Sequence, residues 1–293
     1  MSRPSMPAIL RAIRVHQWAK NLLVFVPLIS SQQFNLRALT AGLAAFFAFS
    51  FVASAVYVFN DLVDRESDRR HPAKSSRPFA RGDILISIGI ALIPLLLAVG
   101  LTIALASSWR LAGIIAIYFV GTIFYSLFLK RQMLIDVMAL AGFYTLRVFG
   151  GAVAISVPVS EWLMIFCIFI FFALAIIKRY SEITVWLETG LTQLVDRDYG
   201  GADLPALLAL ASAASVSAVV VFALYAQGAA VKSLYSNPQY LLAICPLLIF
   251  WLSRLIILAH RRVLIRDPVL FALGDWVSWI IVASAIVAIL SAI

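Results

Sequence analysis

The sequence has little of what soluble enzymes usually depend on. Only 2 of its 293 residues are cysteines, and both Cys167 and Cys245 lie in apolar runs, so neither a disulfide framework nor a cysteine metal site is expected. Charged residues make up 13% of the chain, where an average soluble domain has about 25%. The sequence has no glycine-rich phosphate loop, no Ser/His/Asp set and no Cys/His cluster. Any chemistry is therefore expected at a membrane face.

Apolar residues account for 63% of the chain and are gathered in long runs. A membrane-spanning helix needs about 20 predominantly apolar residues. On this basis we predict nine spans in a single membrane-embedded domain over residues 1–293, which makes the fold class all-α and polytopic. The predicted spans cover residues 21–36, 41–60, 84–106, 109–129, 133–155, 161–178, 204–227, 238–259 and 270–292.

Basic residues are distributed unequally between the connections. The N-terminus and the connections 2–3, 4–5, 6–7 and 8–9 carry 19 of the 23 lysines and arginines, and the opposite connections carry 3. The positive-inside rule places the richer side in the cytoplasm, which predicts a multi-pass protein of the cell inner (plasma) membrane with a cytoplasmic N-terminus. Of the 14 acids, 13 lie on the same side, and this favours a polar cavity open to the cytoplasm.

The net charge of +9 suits both anionic lipid headgroups and phosphorylated substrates. Membrane lipids are therefore expected partners. Nucleic acid is not, because no basic region lies outside the membrane frame. A homo-oligomer is compatible with the sequence.

The end of span two carries an unusual density of carboxylates, four within residues 61–68. On a helix, Asn60, Asp64 and Asp68 would lie on one face, at positions i, i+4 and i+8. Oxygen ligands of this kind suit Mg²⁺, which usually shares its coordination with substrate phosphates. We predict a metal–diphosphate site here, with Asn60, Asp61, Asp64 and Asp68 as the metal ligands.

The connection that follows is predicted to be a cytoplasmic active-site loop over residues 61–83. Lys74 and Arg77 would neutralise the remaining phosphate charge, so that a carboxylate-held metal and two cations form a diphosphate clamp. The alternative is a solvated loop of mixed charge, and that interpretation is favoured for Glu66, Arg69 and Arg70.

Two further groups of polar residues are candidates for substrate binding. Tyr125 and Lys130 close span four, where an interfacial aromatic and a topology anchor are the alternatives. Span six ends in a second group, for which a substrate-binding role is favoured and a positive helix terminus stabilised by the helix dipole is the alternative. That group consists of Lys178, Arg179, Tyr180 and Glu182. A second cytoplasmic loop is predicted over 179–203, in which the role of Asp196 and Asp198 is left open.

A third candidate group is basic and lies at the start and the middle of the chain. Residues 1–20 are predicted to form an interfacial amphipathic segment. Lys20 and Asn21, at its end, could reach a lipid phosphate. Arg147 lies well inside span five, where a charge is costly and should face the interior of the bundle.

Together these residues resemble the UbiA superfamily of intramembrane transferases over essentially the whole chain. The resemblance rests on the nine spans and on three motifs, which are Asn60-Asp61-x-x-Asp64-x-x-x-Asp68, Lys74-x-x-Arg77-Pro78 and Tyr125-Ser126. It implies a helical bundle around a central cavity, a diphosphate donor bound through Mg²⁺, and Asn60, Asp64 and Asp68 as metal ligands.

The chain departs from the aromatic-prenylating members, whose second motif is Asp-x-x-x-Asp. Lys178-Arg179-Tyr180-x-Glu182 stands near that place instead. Together with Arg14-x-His16-Gln17-Trp18-x-Lys20-Asn21 and Arg147-x-x-Gly150-Gly151, it resembles the decaprenyl-phosphate phosphoribosyltransferase branch. That resemblance implies transfer of a phosphoribosyl group from 5-phosphoribosyl 1-diphosphate to a polyprenyl phosphate of the decaprenyl type, with release of diphosphate.

The expected roles follow from the resemblance and the residues together. Asp64, Asp68, Lys74 and Arg77 would be catalytic, and Lys20, Asn21 and Arg147 would bind the lipid phosphate. The donor would be bound by Tyr125, Lys130, Lys178, Arg179, Tyr180 and Glu182. The main alternative is an aromatic prenyltransferase that uses a polyprenyl diphosphate donor. A remote one is a non-catalytic lipid transporter, which the single deep charge disfavours.

Overall fold

The computed structural model describes residues 8–70, 75–187, 197–264 and 267–293. Within these ranges the secondary structure is helical, and no strand is formed. The chain divides into two compact units. Unit 1 comprises residues 1–127 and 146–158, and unit 2 comprises residues 128–145 and 159–293.

Unit 1 is built from short N-terminal helices followed by long apolar ones. Its elements are α1 (Ala8–Ala12), a 3-10 helix (Val15–Phe25), α2 (Val26–Ser30), α3 (Leu36–Val63), α4 (Arg65–Arg70), α5 (Pro78–Arg81), α6 (Ile86–Ser107) and α7 (Trp109–Leu127). A 3-10 turn (Leu129–Arg131) then leads to α8 (Ile135–Ala154), whose last turns also belong to unit 1.

Unit 2 contains the first half of α8 and the remaining helices. These are α9 (Glu161–Leu187), a 3-10 turn (Gly201–Asp203), α10 (Leu204–Ala226), α11 (Ala229–Leu234), a 3-10 helix (Pro238–Ala243), α12 (Ile244–His260), α13 (Pro268–Gly274) and α14 (Trp276–Ala292). α9 packs against α10 and α12.

Among the described residues, seven helices are long and apolar enough to cross a membrane, or eight if the bent pair α13 and α14 counts as one span. The protein is therefore an integral membrane protein, as predicted. The first predicted span, 21–36, is not a single helix. Residues Val15–Phe25 are 3-10, and a five-residue α-helix follows with Pro27 in its first turn. Proline cannot donate a helical hydrogen bond, and its fixed φ suits the start of a helix rather than its middle.

The last predicted span, 270–292, is also interrupted. α13 and α14 meet at an angle of 86° at Asp275. The Asp275 carboxylate accepts a hydrogen bond from the backbone N–H of Ser278, 2.9 Å away, and so caps α14. It also pairs in bidentate fashion with Arg254, at 2.7 and 2.9 Å. A short side chain that caps a new helix start competes with a continuous helix at that position.

The N-terminal 3-10 helix is fastened to α3 by polar contacts. The Trp18 indole N–H donates to the Ser54 hydroxyl at 2.9 Å, and that hydroxyl donates to the carbonyl of Ile13 at 2.7 Å. Further along the same segment, Gly151 of α8 lies so close that a Cβ there would overlap the carbonyl of Val24. Glycine is needed at that position because the two backbones touch.

Candidate functional site

The acidic motif of residues 60–68 lies where α3 ends and α4 begins. Asp64 caps the C-terminus of α3, and its N–H bonds the carbonyl of Asn60 at 2.9 Å. The N–H of Asp68 bonds the carbonyl of Asp64 at 2.8 Å, so the helical path continues across the junction. Asp61 and Asp68 are seven residues apart, about two helical turns, and therefore share a face. They are 1% and 2% exposed.

Arg77 joins these two buried carboxylates. Its Nη1 lies 2.7 Å from Asp68 Oδ2 and 3.2 Å from Asp61 Oδ1. Arg14, from the N-terminal segment, lies 2.5 Å from the same Asp61 oxygen. The charges of two acids and two bases thus cancel in this group, which we call the motif cluster (Arg14, Asp61, Asp68 and Arg77). Buried carboxylates require such partners because desolvation alone would disfavour their charge.

Arg77 is held in place through α5, the four-residue helix that follows it. Arg65 Nε donates to the carbonyl of Phe79 at 3.2 Å, and Arg69 Nε donates to the carbonyl of Ala80 at 3.0 Å. Carbonyls at a helix C-terminus have no partner within the helix. Arg65 and Arg69 satisfy two of them, and we call this pair of contacts the carbonyl clasp. Arg69 is therefore more than a solvated surface residue.

Two carboxylates of the motif cluster, Asp61 and Asp68, offer oxygen atoms of the kind that Mg²⁺ prefers. Across the described ranges no three His, Cys, Asp or Glu side chains converge as a metal-binding group. The Asp61 and Asp68 carboxylates do converge, on one guanidinium nitrogen. Asp61 Oδ2 is buried and has no hydrogen-bond partner among the described residues. Two carboxylates with a spare oxygen fit an ion that completes its shell with phosphates and water.

The remaining motif predictions stand as follows. Asn60 and Asp64 are half-buried beside the pair, and their role as metal ligands stays a prediction. Lys74 lies outside the described residues. The exposure predicted for Glu66 is confirmed, since its side chain is 68% exposed.

A second polar group in unit 1 surrounds the deep Arg147. Its Nε donates to the Asn21 amide oxygen at 2.7 Å, and its Nη2 donates to the Tyr118 hydroxyl at 2.8 Å. The Asn21 amide nitrogen in turn donates to the Ser50 hydroxyl at 3.0 Å. Lys20 is buried next to Asn21 in the chain. The structure thus unites Arg147 with Asn21, two of the three residues predicted to bind a lipid phosphate.

In unit 2, a fully buried carboxylate organises what we call the Asp136 cluster (Asp136, Arg179, Glu182, Arg197 and Tyr199). Asp136 Oδ2 lies 2.5 Å from Arg179 Nη2 and 3.2 Å from Arg197 Nη1. Its Oδ1 accepts a hydrogen bond from the Tyr199 hydroxyl at 2.6 Å. Arg179 also pairs with Glu182. Asp136 and Arg179 are both 0% exposed, so a donor-binding role for Arg179 stays a prediction.

Tyr199 fixes the end of the α9–α10 connection. Burial raises the pKa of its phenol, and the hydrogen bond to the Asp136 carboxylate raises that pKa further. The phenol therefore stays protonated and keeps donating to Asp136. Its oxygen also accepts the N–H of Leu134 at 2.8 Å, just before α8 begins. Sequence spacing gave no sign of this contact across 65 residues.

The other predicted donor-binding residues are distributed over several contacts. Lys178 lies 3.5 Å from Asp267 at the start of α13, and the Tyr180 hydroxyl lies 2.9 Å from His260 Nδ1 at the end of α12. Tyr125 and Lys130 are half-buried.

The sequence left open the role of two acids in the second predicted loop, Asp196 and Asp198. Asp198 is exposed. Asp196 lies outside the described residues.

Comparison with known proteins shows the family to which this chain belongs. A family model described as the UbiA prenyltransferase family matches residues 22–273. The nodulation protein NoeC of Azorhizobium caulinodans is 34% identical over 90% of this chain and 86% of its own. The decaprenyl-phosphate phosphoribosyltransferase of Corynebacterium glutamicum is 34% identical over 62% of this chain, and the match spans 56% of that protein.

The fold is shared with a solved structure of a UbiA homolog from Archaeoglobus fulgidus. That structure was solved with DMAPP and Mg²⁺ bound. The likeness covers 96% of this chain and 98% of that one, with a TM-score of 0.71 and 19% sequence identity.

Proposed function

The chain belongs to the UbiA prenyltransferase family, and from that premise we propose that it is a Mg²⁺-dependent phosphoribosyltransferase of the membrane. It transfers the 5-phosphoribosyl group of 5-phosphoribosyl 1-diphosphate to a polyprenyl phosphate of the decaprenyl type. The observation that carries the proposal is the buried pair Asp61 and Asp68, which converge on Arg77. The choice of donor is supported by the similarity to decaprenyl-phosphate phosphoribosyltransferases, at 32–34% identity.

The metal would be held by Asn60, Asp61, Asp64 and Asp68. When bound there, Mg²⁺ would neutralise charge on the oxygens of the donor diphosphate. The spare Asp61 Oδ2 supports this assignment, because a buried carboxylate oxygen without a donor is costly unless a ligand uses it.

The reaction requires stabilisation of a leaving group more than it requires a strong base. The bond between ribose C1 and the diphosphate oxygen breaks, a bond from C1 to an oxygen of the acceptor phosphate forms, and diphosphate departs. Arg77 and Lys74 stabilise the negative charge that grows on the departing diphosphate. The acceptor phosphate is already an anion near neutral pH, so no side chain has to remove a proton from it.

The acceptor phosphate is assigned to Lys20, Asn21 and Arg147. The support is that Arg147 Nε donates to the Asn21 amide oxygen and that Lys20 directly precedes Asn21 in the chain, since cationic and amide N–H donors suit a phosphate. The isoprenoid tail would remain among apolar side chains. Donor-binding roles for Tyr125, Lys130, Lys178, Arg179, Tyr180 and Glu182 are proposed from the family resemblance.

We further propose that the polar clusters face the cytoplasm. The support is the charge distribution, with 19 basic residues on the N-terminal side and 3 opposite. The nine-span bundle and the cytoplasmic cavity belong to the same proposal.

Prenyl transfer from a polyprenyl diphosphate to an aromatic acceptor is the second candidate, and the family match favours it. A comparison of donors separates the two. Purified protein in detergent is given radiolabelled 5-phosphoribosyl 1-diphosphate with decaprenyl phosphate, or a labelled prenyl diphosphate with an aromatic acid, each with Mg²⁺ or with EDTA. Labelled lipid is expected from 5-phosphoribosyl 1-diphosphate and decaprenyl phosphate when Mg²⁺ is present, and not when EDTA is. Transfer from the prenyl diphosphate only, with none from the phosphoribosyl donor, would refute the proposal.

A further inference from the structure

Arg14 has an unusual backbone for a residue with a long side chain. It stands immediately before the 3-10 helix with φ 52° and ψ 50°, in the left-handed region that glycine favours. A non-glycine residue in that region costs free energy, and it persists only where neighbouring contacts compensate.

Those contacts lie along one face of α3. Ser54, Tyr57 and Asp61 follow one another at spacings of three and four residues, so they share a helix face. The Ser54 hydroxyl donates to the carbonyl of Ile13, the residue before Arg14. The Arg14 guanidinium lies 5.1 Å from the centre of the Tyr57 ring and 2.5 Å from Asp61 Oδ1. The left-handed turn thus directs Arg14 toward the motif cluster.

The consequence for Asp61 is a carboxylate with two different oxygens. Arg14 and Arg77 both contact Oδ1, whereas Oδ2 is buried without a hydrogen-bond partner among the described residues. Two guanidiniums on one oxygen fix the rotation of the carboxylate. They keep the second oxygen available to a ligand.

We propose that Arg14 is a positioning residue for Asp61, and that it orients the carboxylate for a metal-bound diphosphate. This inference rests on the proposed function. Arg14 also adds a positive charge beside the site, which favours an anionic diphosphate complex. Its role is to hold Asp61 and not to form part of the reacting bond.

The backbone conformation supplies a sharp test. Arg14→Gly removes the side chain and its pair with the buried Asp61, but relief of the left-handed strain offsets part of that loss, so the variant should unfold at a higher temperature than Arg14→Gln. Arg14→Gln keeps the left-handed backbone strain and loses the positive charge. Arg14→Lys keeps the positive charge and loses the forked guanidinium group. Arg11→Gln is the matched control, because Arg11 pairs with Asp83 at 3.2 Å, outside the motif cluster.

The measurement is calorimetric titration of each purified variant with Mg²⁺ and inorganic pyrophosphate, alongside thermal unfolding. Loss of a charged hydrogen bond should weaken binding about tenfold or more in the glycine and glutamine variants. Arg14→Lys should recover part of the affinity, and Arg11→Gln should bind as the wild type does.

A folded Arg14→Gly protein with wild-type affinity would overturn the inference, since Arg14 would then be only a turn residue. If that variant unfolds early, wild-type affinity in Arg14→Gln would overturn the inference in the same way. No binding by the wild type itself would refute the proposed function, and the inference with it.

Discussion

Removal of the Asp136 carboxylate should destabilise unit 2 strongly. Asp136 receives two guanidiniums, a phenol and a backbone N–H, and it has no exposed surface. Asp136→Ala leaves the Arg179 guanidinium buried without that partner. Breaking a buried ion pair by removing one side costs about 3–5 kcal/mol.

That cost converts to a measurable temperature shift. For a protein of roughly 150–250 residues, 1 kcal/mol lowers the unfolding midpoint by about 2–4 °C. Asp136→Ala should therefore unfold roughly 6–20 °C below the wild type. In a Cys245→Ser background, which removes the half-buried second thiol, a thiol-reactive fluorescent dye can follow the transition in detergent, because Cys167 in unit 2 is 2% exposed and reacts only after opening.

A double variant tests the reason for the loss. Asp136→Ala with Arg179→Met removes both charges and keeps apolar volume, so it should recover at least half of the lost stability. The control is Asp198→Ala at an exposed acid, which should change the midpoint little. A midpoint for Asp136→Ala within 2 °C of the wild type, or a double variant less stable than the single one, would refute the buried-pair reasoning (about 1 kcal/mol or less).

Gly151→Ala should lower the unfolding temperature of the purified protein by overpacking against the carbonyl of Val24, at a cost of about 1–3 kcal/mol. Gly113→Ala, where a Cβ meets nothing within 4 Å, should not. Arg69→Ala should raise the KM for the donor several-fold in steady-state assays, because the carbonyl clasp on α5 is weakened; an unchanged KM would contradict that role. Burial and two nearby cations lower the pKa of His16, so its stability contribution is complete above about pH 6.5 and falls as pH drops below it. Lowering the pH from 8 to 5 should therefore lower the melting temperature less in His16→Gln than in the wild type.

The long membrane helices could be predicted from the sequence because their apolar runs are continuous. The predicted spans 84–106 and 204–227 lie within two residues of α6 and α10 at each end. The predicted end at 178 was too early, since α9 continues to Leu187. A charged residue ends an apolar run but does not end a helix, and lysine and arginine are good helix formers.

The breaks within the first and last predicted spans, 21–36 and 270–292, were harder to predict. Asp275 lies inside the predicted span 270–292, but its carboxylate caps the start of α14 and pairs with Arg254, and the helix is broken there. Neither contact can be recognised from the hydropathy of a run of residues. The N-terminal 3-10 helix was missed for a similar reason, because its stability depends on partners in α3.

The same limit applies to the candidate site. The closeness of Asp61 and Asp68 follows from helical spacing, so the local motif could be found from the sequence. The partners of that motif and of Arg147 could not. Arg14 reaches Asp61 across 47 residues, and Arg147 reaches Asn21 across 126. Spacing rules describe neighbours along one helix, whereas these pairs form only when the helices of unit 1 pack.

The most direct test is the release of pyrophosphate from 5-phosphoribosyl 1-diphosphate by purified protein with Mg²⁺ and decaprenyl phosphate. The account predicts release that requires both the metal and the lipid, and that is abolished in the Asp64→Asn, Asp68→Asn double variant although this variant still inserts into the membrane. Undiminished release by the double variant would contradict the assignment of these carboxylates to the metal–diphosphate site.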